Sequence, residues 1–335
     1  MEEANINKNI NYNLELLRLI LSFYVVLYHC YKYADKFKKG AFHVPIFMLM
    51  SFYFYYNILK AKSCIKIKKR FLRISFPYII WPILLYICNN ILFKLFGFSP
   101  YKKQLSLKDL LLQLIFGIKF HLVFYYQFIL IILTIVFTII SILFNENFVF
   151  IFQISLIVAY IFQYSYWNLY IFKQYSWTIK YSLGNIPNLL PFAVSGITIR
   201  HSDIITKLNK YKELTIFFSL VIIFLILEFD IFVRIIGFWF PGILLNIGAI
   251  CIFIIFSLFS FQNKKFIFVF KIITKFTGGI YYIHLICYQF LRTKIDFINK
   301  KTFHGTSIIY IISYFICFLG NKLSYKVKLL KLLFN

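Results

Sequence analysis

The chain is divided into apolar segments, each close to the length that a helix needs to cross a lipid bilayer. A hydrocarbon core about 30 Å thick is spanned by about 20 apolar residues in a helix. Ten segments of roughly this size follow one another along the sequence, and we number them in chain order. They are residues 14–33, 41–59, 74–96, 120–143, 148–164, 182–200, 214–230, 238–260, 276–291 and 305–321.

Composition supports a membrane protein. Hydrophobic residues make up 61% of the 335 residues, charged residues only 14%, and the mean hydropathy is +0.79. A soluble domain has about 25% charged residues, so we expect no soluble domain. The predicted fold is an all-α polytopic membrane bundle of about ten transmembrane helices. It comprises a cytoplasmic tail (1–13), a transmembrane domain (14–321) and a basic cytoplasmic tail (322–335).

The basic residues lie mostly between the apolar segments, although the net charge is +26. Membrane topology and contact with lipid headgroups explain this pattern better than nucleic acid, which we do not expect as a partner. Seven basic residues lie between Lys60 and Arg73. By the positive-inside rule, this cluster predicts that both termini are cytoplasmic, with only a small excess over the opposite side.

No metal site or disulfide framework is predicted. The six cysteines are scattered, mostly within the apolar segments, and form no CxxC pair. His, Asp and Glu form no cluster with metal-ligand spacing either. We therefore predict no metal and no permanently bound cofactor.

The first apolar segment carries two residues that are costly inside a membrane, Arg18 and His29. Titratable groups at this depth usually face a protein interior or a water-filled cavity, and they are functional candidates. His29 is eleven positions after Arg18, so in a helix both lie on one face, about 16 Å apart. Glu15, one turn before Arg18, is placed to pair with its guanidinium group.

Four further motifs accompany this pair. The second segment begins HVPIFMLMS, from His43 to Ser51, and places a hydroxyl near its middle. The motif RFLRISFPY, from Arg70 to Tyr78, leads into the third segment and places Arg70 and Arg73 three residues apart. The remaining two motifs are HLVFYYQ from His121 and GGIYYIHL, which contains Tyr281 and His284.

Together these motifs resemble the acyltransferase-3 family, whose integral-membrane enzymes O-acylate bacterial surface glycans. The family hallmark, an Arg and a His separated by ten residues, matches Arg18 and His29. Its RxxR motif matches Arg70 and Arg73, and the pattern ending in Tyr-x-Ile-His matches Tyr281 and His284. This chain departs from the family pattern at Phe52, where Gly usually follows Ser, and at Val123, where Trp is common.

The resemblance implies an acyltransferase of groups other than aminoacyl groups, in the bacterial cytoplasmic membrane. Acetyl-CoA would be the donor substrate, and a surface polysaccharide or its lipid-linked precursor would be the acceptor. Neutral imidazole is suited to removing the acceptor hydroxyl proton near pH 7, so His29 is the expected base. Guanidinium is suited to phosphate, so Arg70, Arg73 and Arg18 are expected to meet the CoA phosphates. Glu15, Ser51, Tyr281 and His284 are expected to support the site.

Other interpretations of these residues remain open. A lone intramembrane histidine is more often a structural residue. Arg18 is placed to snorkel to headgroups, and a basic loop explains Arg70 and Arg73 by topology alone. A transporter or flippase for a lipid-linked glycan is the alternative function, favoured by polar residues inside spans such as Gln127, Asn185 and Asn246. The sequence shows no two-fold repeat of the kind common in transporters.

Overall fold

The computed structural model describes residues 2–31, 42–97, 101, 103–120, 124–164, 183–235, 242–259, 268–269, 272–292, 295, 298, 301–324 and 332–334. Within these ranges the chain forms twelve α-helices and no β-strand. They are α1 Glu2–Cys30, α2 His43–Lys60, α3 Cys64–Phe96, α4 Leu107–Phe116, α5 Phe124–Leu143, α6 Phe148–Tyr164, α7 Ile186–His201, α8 Ile204–Leu208, α9 Lys212–Ile235, α10 Gly242–Leu258, α11 Thr277–Leu291 and α12 Phe303–Leu323.

The helices agree with the predicted fold class. Each of the ten predicted segments overlaps one helix, and α4 and α8 are additional short helices. In the described part of the chain, four helical stretches are able to cross a membrane by length and composition: Tyr12–Cys30, Cys64–Leu95, Phe124–Leu143 and Phe303–Leu323. A helical membrane protein is therefore confirmed, whereas the number of ten spans stays a prediction.

Two helices are longer than the sequence analysis predicts. Helix α1 begins at Glu2, upstream of the predicted start at residue 14. Helix α3 begins at Cys64, so most of the basic Lys60–Arg73 segment is helical and not a loop. No glycine or proline lies between Cys64 and Arg73. Nothing there interrupts helical hydrogen bonding, and the basic side chains extend the third helix.

Breaks elsewhere follow the local sequence. A 3-10 turn at Asn145–Asn147 separates α5 from α6, as the Asn-Glu-Asn sequence predicts. Pro187 lies in the first turn of α7, where a missing N–H costs no hydrogen bond. Pro191 lies inside the same helix, as Pro77 and Pro82 do in α3. Proline inside a helix is tolerated in membrane bundles when neighbouring groups satisfy the freed carbonyls.

Helix α1 lies between two hydrophobic clusters and packs against α2, α10, α11 and α12. Its half nearer Arg18 contributes Leu14, Leu17 and Leu21 to a cluster formed mainly by α2, α5, α6, α7 and α10. Its half nearer His29 contributes Val26 and Cys30 to a second cluster with α3, α11 and α12. Arg18 and His29 therefore lie in different parts of the bundle.

Helices α2 and α7 approach each other closely, and a glycine permits this. A β-carbon added at Gly196 would meet the backbone of α2 at the Leu49 carbonyl and at the Tyr53 nitrogen, the latter 2.9 Å away. Small residues allow membrane helices to approach closely, so that dispersion contacts replace the hydrophobic drive that lipid does not provide. Gly196 thereby fixes α2, which carries His43 and Ser51.

Gly196→Ala is expected to destabilise the protein by about 1–3 kcal/mol, the usual cost of overpacking, because backbone atoms of α2 cannot move aside. Thermal unfolding in detergent measures the effect. Gly248→Ala in α10 is the matched control, since the atoms nearest to its new methyl group belong to the movable end of the Phe42 ring. Equal stability of the two variants would contradict the backbone contact.

Candidate active site

A cavity of about 990 Å³ opens between α1, α2, α3, α5 and α11 at the end of α1 that carries Arg18. Its wall has two chemical characters. One part is apolar and includes Phe47, Met50, Phe54 and Leu130. The other part is strongly basic, and its cations are Arg18, Lys66, Lys69, Arg70, Arg73 and Lys275. Among the described residues that line the cavity, Glu15 is the one carboxylate, so the cavity is suited to a ligand that is both anionic and partly apolar.

Arg18 is paired as the sequence predicts. Its Nη1 lies 3.4 Å from the Glu15 Oε1, and the side chains of Arg18 and Glu15 are 31% and 39% exposed. A partly exposed pair one helical turn apart contributes only a few tenths of a kcal/mol to stability. Both side chains line the cavity. Arg18 therefore presents a partly neutralised positive charge to anything that enters.

Arg70 is held by α2. Its Nη2 donates to the Ser51 Oγ at 2.9 Å and its Nη1 to the Ser51 carbonyl at 3.3 Å. The guanidinium carbon also lies 4.0 Å from the centre of the Tyr55 ring, in a cation–π contact. The Nε of Arg70 is buried and has no hydrogen-bond partner among the described residues. Arg70 is therefore fixed in place by Ser51 and Tyr55.

Arg73 differs from Arg70 in its surroundings. Residues three apart lie on the same face of a helix, and both arginines line the cavity. The Arg73 side chain is exposed, whereas Arg70 is half-buried against Ser51 and Tyr55. The two arginines of the RxxR motif therefore have different roles in the cavity wall. The Arg70 side chain is fixed by its contacts, and the Arg73 side chain is accessible to a ligand.

A buried glutamine ties α5 to this part of α3. The Gln127 Nε2 donates to the Ile74 carbonyl at 2.8 Å. Ile74 lies three residues before Pro77, whose ring interrupts the helical hydrogen bonds at this point. Ile74, Pro77 and Gln127 all line the cavity. The hydrogen bond therefore ties α5 to α3 close to the proline and fixes the cavity wall.

His29 lies away from the cavity wall and against α11. Its side chain is half-buried, and its ring centre is 5.4 Å from that of His284, with 34° between the ring planes. His284 is fully buried, and its Nδ1 lies 3.0 Å from the Ile280 carbonyl oxygen. Because a carbonyl oxygen only accepts, this geometry assigns a proton to the His284 Nδ1. The orientation of His284 beside His29 is thereby fixed by the backbone.

Aromatic side chains connect the cavity with the two histidines. Tyr281 lines the cavity, and its ring centre lies 6.4 Å from that of His284. On the cavity side, Tyr126 of α5 contacts Tyr281 at 5.8 Å. Since Tyr281 is one turn before His284 on α11, the same helix face leads from the basic cavity to His29.

His43 belongs to the surroundings of His29. It is buried, and its ring lies 5.2 Å from the Tyr24 ring and 5.1 Å from the Tyr28 ring. Its Nδ1 has no hydrogen-bond partner in the described part of the chain. The other histidine of the four motifs, His121, lies outside the described residues.

The structure thus gathers most of the predicted residues. Six line the cavity, namely Glu15, Arg18, Ser51, Arg70, Arg73 and Tyr281. The other two, His29 and His284, contact each other beyond it. Sequence reasoning missed Lys66, Lys69 and Lys275. The two on α3 repeat at helical spacing with Arg70 and Arg73, a signal that is lost when this segment is interpreted as a loop. No local signal identifies Lys275.

The polar residues that suggested a transport path make contacts within the protein. Asn246 hydrogen-bonds Ser195 and Tyr160, and Gln127 bonds the Ile74 carbonyl. Asn185 accepts from Asn188 at 3.2 Å. Such bonds stabilise helix packing in a membrane, so these residues do not favour a transporter.

Comparison with known proteins gives one result. A family model described as an acyltransferase domain, of the acyltransferase-3 type, matches residues 11–322. No curated protein and no solved structure matches the chain. The match covers nearly the whole chain and includes all eight predicted site residues. The resemblance noted from the motifs is thereby confirmed, and the chain belongs to the acyltransferase-3 family of membrane acyltransferases.

Proposed function

We propose that this acyltransferase moves an acetyl group from acetyl-CoA to a hydroxyl of a cell-surface polysaccharide or its lipid-linked precursor. Family membership provides acyl transfer in general, whereas the donor, the acceptor and the base are our proposals. The observation that carries them is the basic cavity and its aromatic connection, through Tyr281 and His284, to His29.

The cavity suits the nucleotide part of acetyl-CoA. Its cations are available to the phosphate groups, and guanidinium binds phosphate through two parallel hydrogen bonds. In this arrangement Arg73 and the lysines meet the phosphates, and Arg70 contributes its fixed positive charge to the same wall. The pantetheine arm then extends along Tyr281 toward His29, in line with the roughly 16 Å between Arg18 and His29 on α1.

The reaction needs one base and one leaving group. A neutral His29 removes the proton of the acceptor hydroxyl as its oxygen attacks the thioester carbonyl carbon. The new C–O ester bond forms, and the C–S bond of the thioester then breaks. The departing CoA thiolate takes the proton from the His29 imidazolium, which returns the base to its neutral form. Atoms and charges balance without a metal or a redox partner.

The supporting residues have distinct positions in this proposal. Ser51 holds the Arg70 guanidinium, and Glu15 moderates the charge of Arg18. Tyr281 lines the path of the donor, and His284 orients His29. The basic first turns of α3 favour the cytoplasmic side, where acetyl-CoA is made, and the His29 end of α1 then lies toward the outer face of the bacterial cytoplasmic membrane.

The whole proposal is tested by incubating the purified protein with acetyl-CoA and candidate glycans and measuring free CoA. Release of CoA that depends on the glycan, with an acetylated sugar in the mass spectrum, is the expected result. Glycan binding without CoA release would contradict acetyl transfer.

His29→Ala is expected to lower acyl transfer by about 10²–10⁴-fold, the usual contribution of a general base. Affinity for CoA should persist, because His29 does not line the basic cavity. Free-CoA kinetics and equilibrium binding measure the two quantities. His304→Ala, at an exposed position in the first turn of α12, is the control. Full activity of His29→Ala would exclude His29 as the base.

Arg73→Ala is expected to weaken CoA binding about tenfold, which is typical for loss of a charged hydrogen bond. Arg70→Lys should also impair binding, because an ammonium group cannot reproduce the two-point contact with Ser51 that fixes this charge. Lys68→Ala is the control, since Lys68 is exposed on the same helix but does not line the cavity. Unchanged affinity in an Arg70→Ala, Arg73→Ala double variant would assign both residues to topology.

The orientation is tested with single-cysteine variants. Cys64 is exposed at the start of α3 and is expected to be shielded from an impermeant thiol reagent in intact cells. A cysteine introduced at Lys38, with the native cysteines replaced, should react. Permeabilised cells show that Cys64 is reactive once accessible. The reverse labelling pattern would place His29 toward the cytosol and contradict transfer to an outer-face acceptor.

A further inference from the structure

Residues 332–334 lie against the helical bundle, although the sequence analysis assigns them to a cytoplasmic tail. Leu333 is 3% exposed and belongs to the hydrophobic cluster that contains α3, α11 and α12. The indole Nε1 of Trp81 donates to the Leu333 carbonyl at 3.1 Å. Non-helical backbone inside a membrane protein requires such partners, because lipid provides none. The bond indicates a specific seat for this segment, which we call the 332–334 wedge.

Two glycines form the seat of the wedge. A β-carbon at Gly320 of α12 would collide with the Phe334 ring, and one at Gly279 of α11 would lie 2.7 Å from the Phe334 carbonyl oxygen. The Cys317 Sγ lies at the same distance from that Gly279 position. Phe334 therefore fits between two helices only because both have hydrogen in place of a side chain.

The wedge and the proposed site residues lie on opposite faces of α11. At about 100° per residue, Tyr281 is turned roughly 160° from Gly279, and His284 roughly 140°. Tyr281 faces the basic cavity, and His284 contacts the His29 ring. Helix α11 is thus held between α1 on one side and the wedge on the other.

The Trp81 ring gives a second connection between the wedge and the cavity. It contacts the Phe334 ring edge-on at 5.9 Å and stacks on Tyr282 of α11 at 6.4 Å, with 22° between the planes. Tyr282 is a lining residue of the cavity and stacks on Phe124 of α5 at 5.5 Å. The wedge therefore supports α11 directly at Gly279 and indirectly through Trp81.

We propose that the 332–334 wedge positions α11 for acyl transfer, with Phe334 as the main positioning residue. This inference rests on the proposed function, because it assigns the wedge an effect on the reaction at His29. Without the Phe334 ring, α11 loses support on the face opposite the site, and His284 and Tyr281 move relative to His29. In the proposed function the donor phosphates bind mainly to cations on α1 and α3. The wedge contacts α3 at Trp81, about two helical turns beyond Arg73, so it is expected to affect turnover more than donor binding.

The first experiment measures the packing itself and does not need activity. Cys317 is fully buried beside Gly279. In detergent-solubilised Phe334→Ala it should react with N-ethylmaleimide, as peptide mass spectrometry would show. Cys251 of α10 is also buried, lies outside the wedge, and should stay protected. If Cys317 were as well protected in Phe334→Ala as in the unmodified protein, the proposed packing of Phe334 against α11 and α12 would be wrong.

The second experiment measures catalysis with a compensating pair of substitutions. Phe334→Ala should lower kcat about tenfold and change the KM for acetyl-CoA less than about twofold, because small displacements at an active site reduce turnover strongly. Gly320→Val should have the same effect, because the valine side chain would displace the Phe334 ring from its position against α12. Combining the two should restore most of kcat and the protection of Cys317, since valine then occupies space that the ring has left. Phe315→Ala, 56% exposed on α12, is the control and should have no effect.

The outcomes separate this inference from the proposed function. Reactive Cys317 together with unchanged kcat in Phe334→Ala would overturn the catalytic effect of the wedge. An equal loss of kcat and donor affinity, without recovery in the double variant, would reduce Phe334 to a general stability role. Absence of CoA release by the unmodified protein would contradict the proposed function and with it the catalytic part, whereas the labelling would still decide whether the wedge packs on α11.

Discussion

The energetic cost of placing charge inside an apolar bundle governs how this protein is arranged. A guanidinium or imidazolium group buried without partners would cost several kcal/mol, so each such group must be paired, stacked or open to a cavity. Arg70 satisfies this requirement through Ser51 and Tyr55, and Arg18 through Glu15. The cavity is the place where the remaining cations are kept in contact with water or a ligand.

The same requirement extends to the backbone. Pro77 interrupts the hydrogen bonds of α3 where it lines the cavity, and Gln127 of α5 bonds the nearby Ile74 carbonyl. The Leu333 carbonyl is satisfied by Trp81. These side-chain to backbone bonds join α3 to α5 and to the 332–334 wedge, segments that are distant in sequence. Such polar groups would destabilise an apolar core if they were unpaired. In this protein their hydrogen bonds fix the positions of α3, α5 and the wedge that packs on α11.

Helix α1 places two kinds of chemistry at two levels of the bundle. Its Arg18 end borders a basic cavity that is suited to phosphate, and its His29 end contacts His284 within a hydrophobic cluster. An acyl-CoA has the corresponding division, with its charges at one end and its reactive thioester at the other. This match is the physical basis for proposing that the donor lies along α1, with its acyl group near the only predicted base.

The sequence alone could predict which residues share a face of one helix, because this depends only on the helical repeat. Arg18 and His29 share a face of α1, and Arg70 and Arg73 share a face of α3, because the helical repeat follows from spacing alone. The family resemblance and the positions of the ten helices also follow from the chain order of motifs and apolar segments.

Burial, by contrast, distinguishes Arg70 from Arg73, and it depends on Ser51 and Tyr55 of another helix. The contribution of Lys275 and the packing of Phe334 between Gly279 and Gly320 depend on contacts between distant segments. Only the tertiary structure decided these features, since no pattern within one helix specifies which side chains of another will meet it.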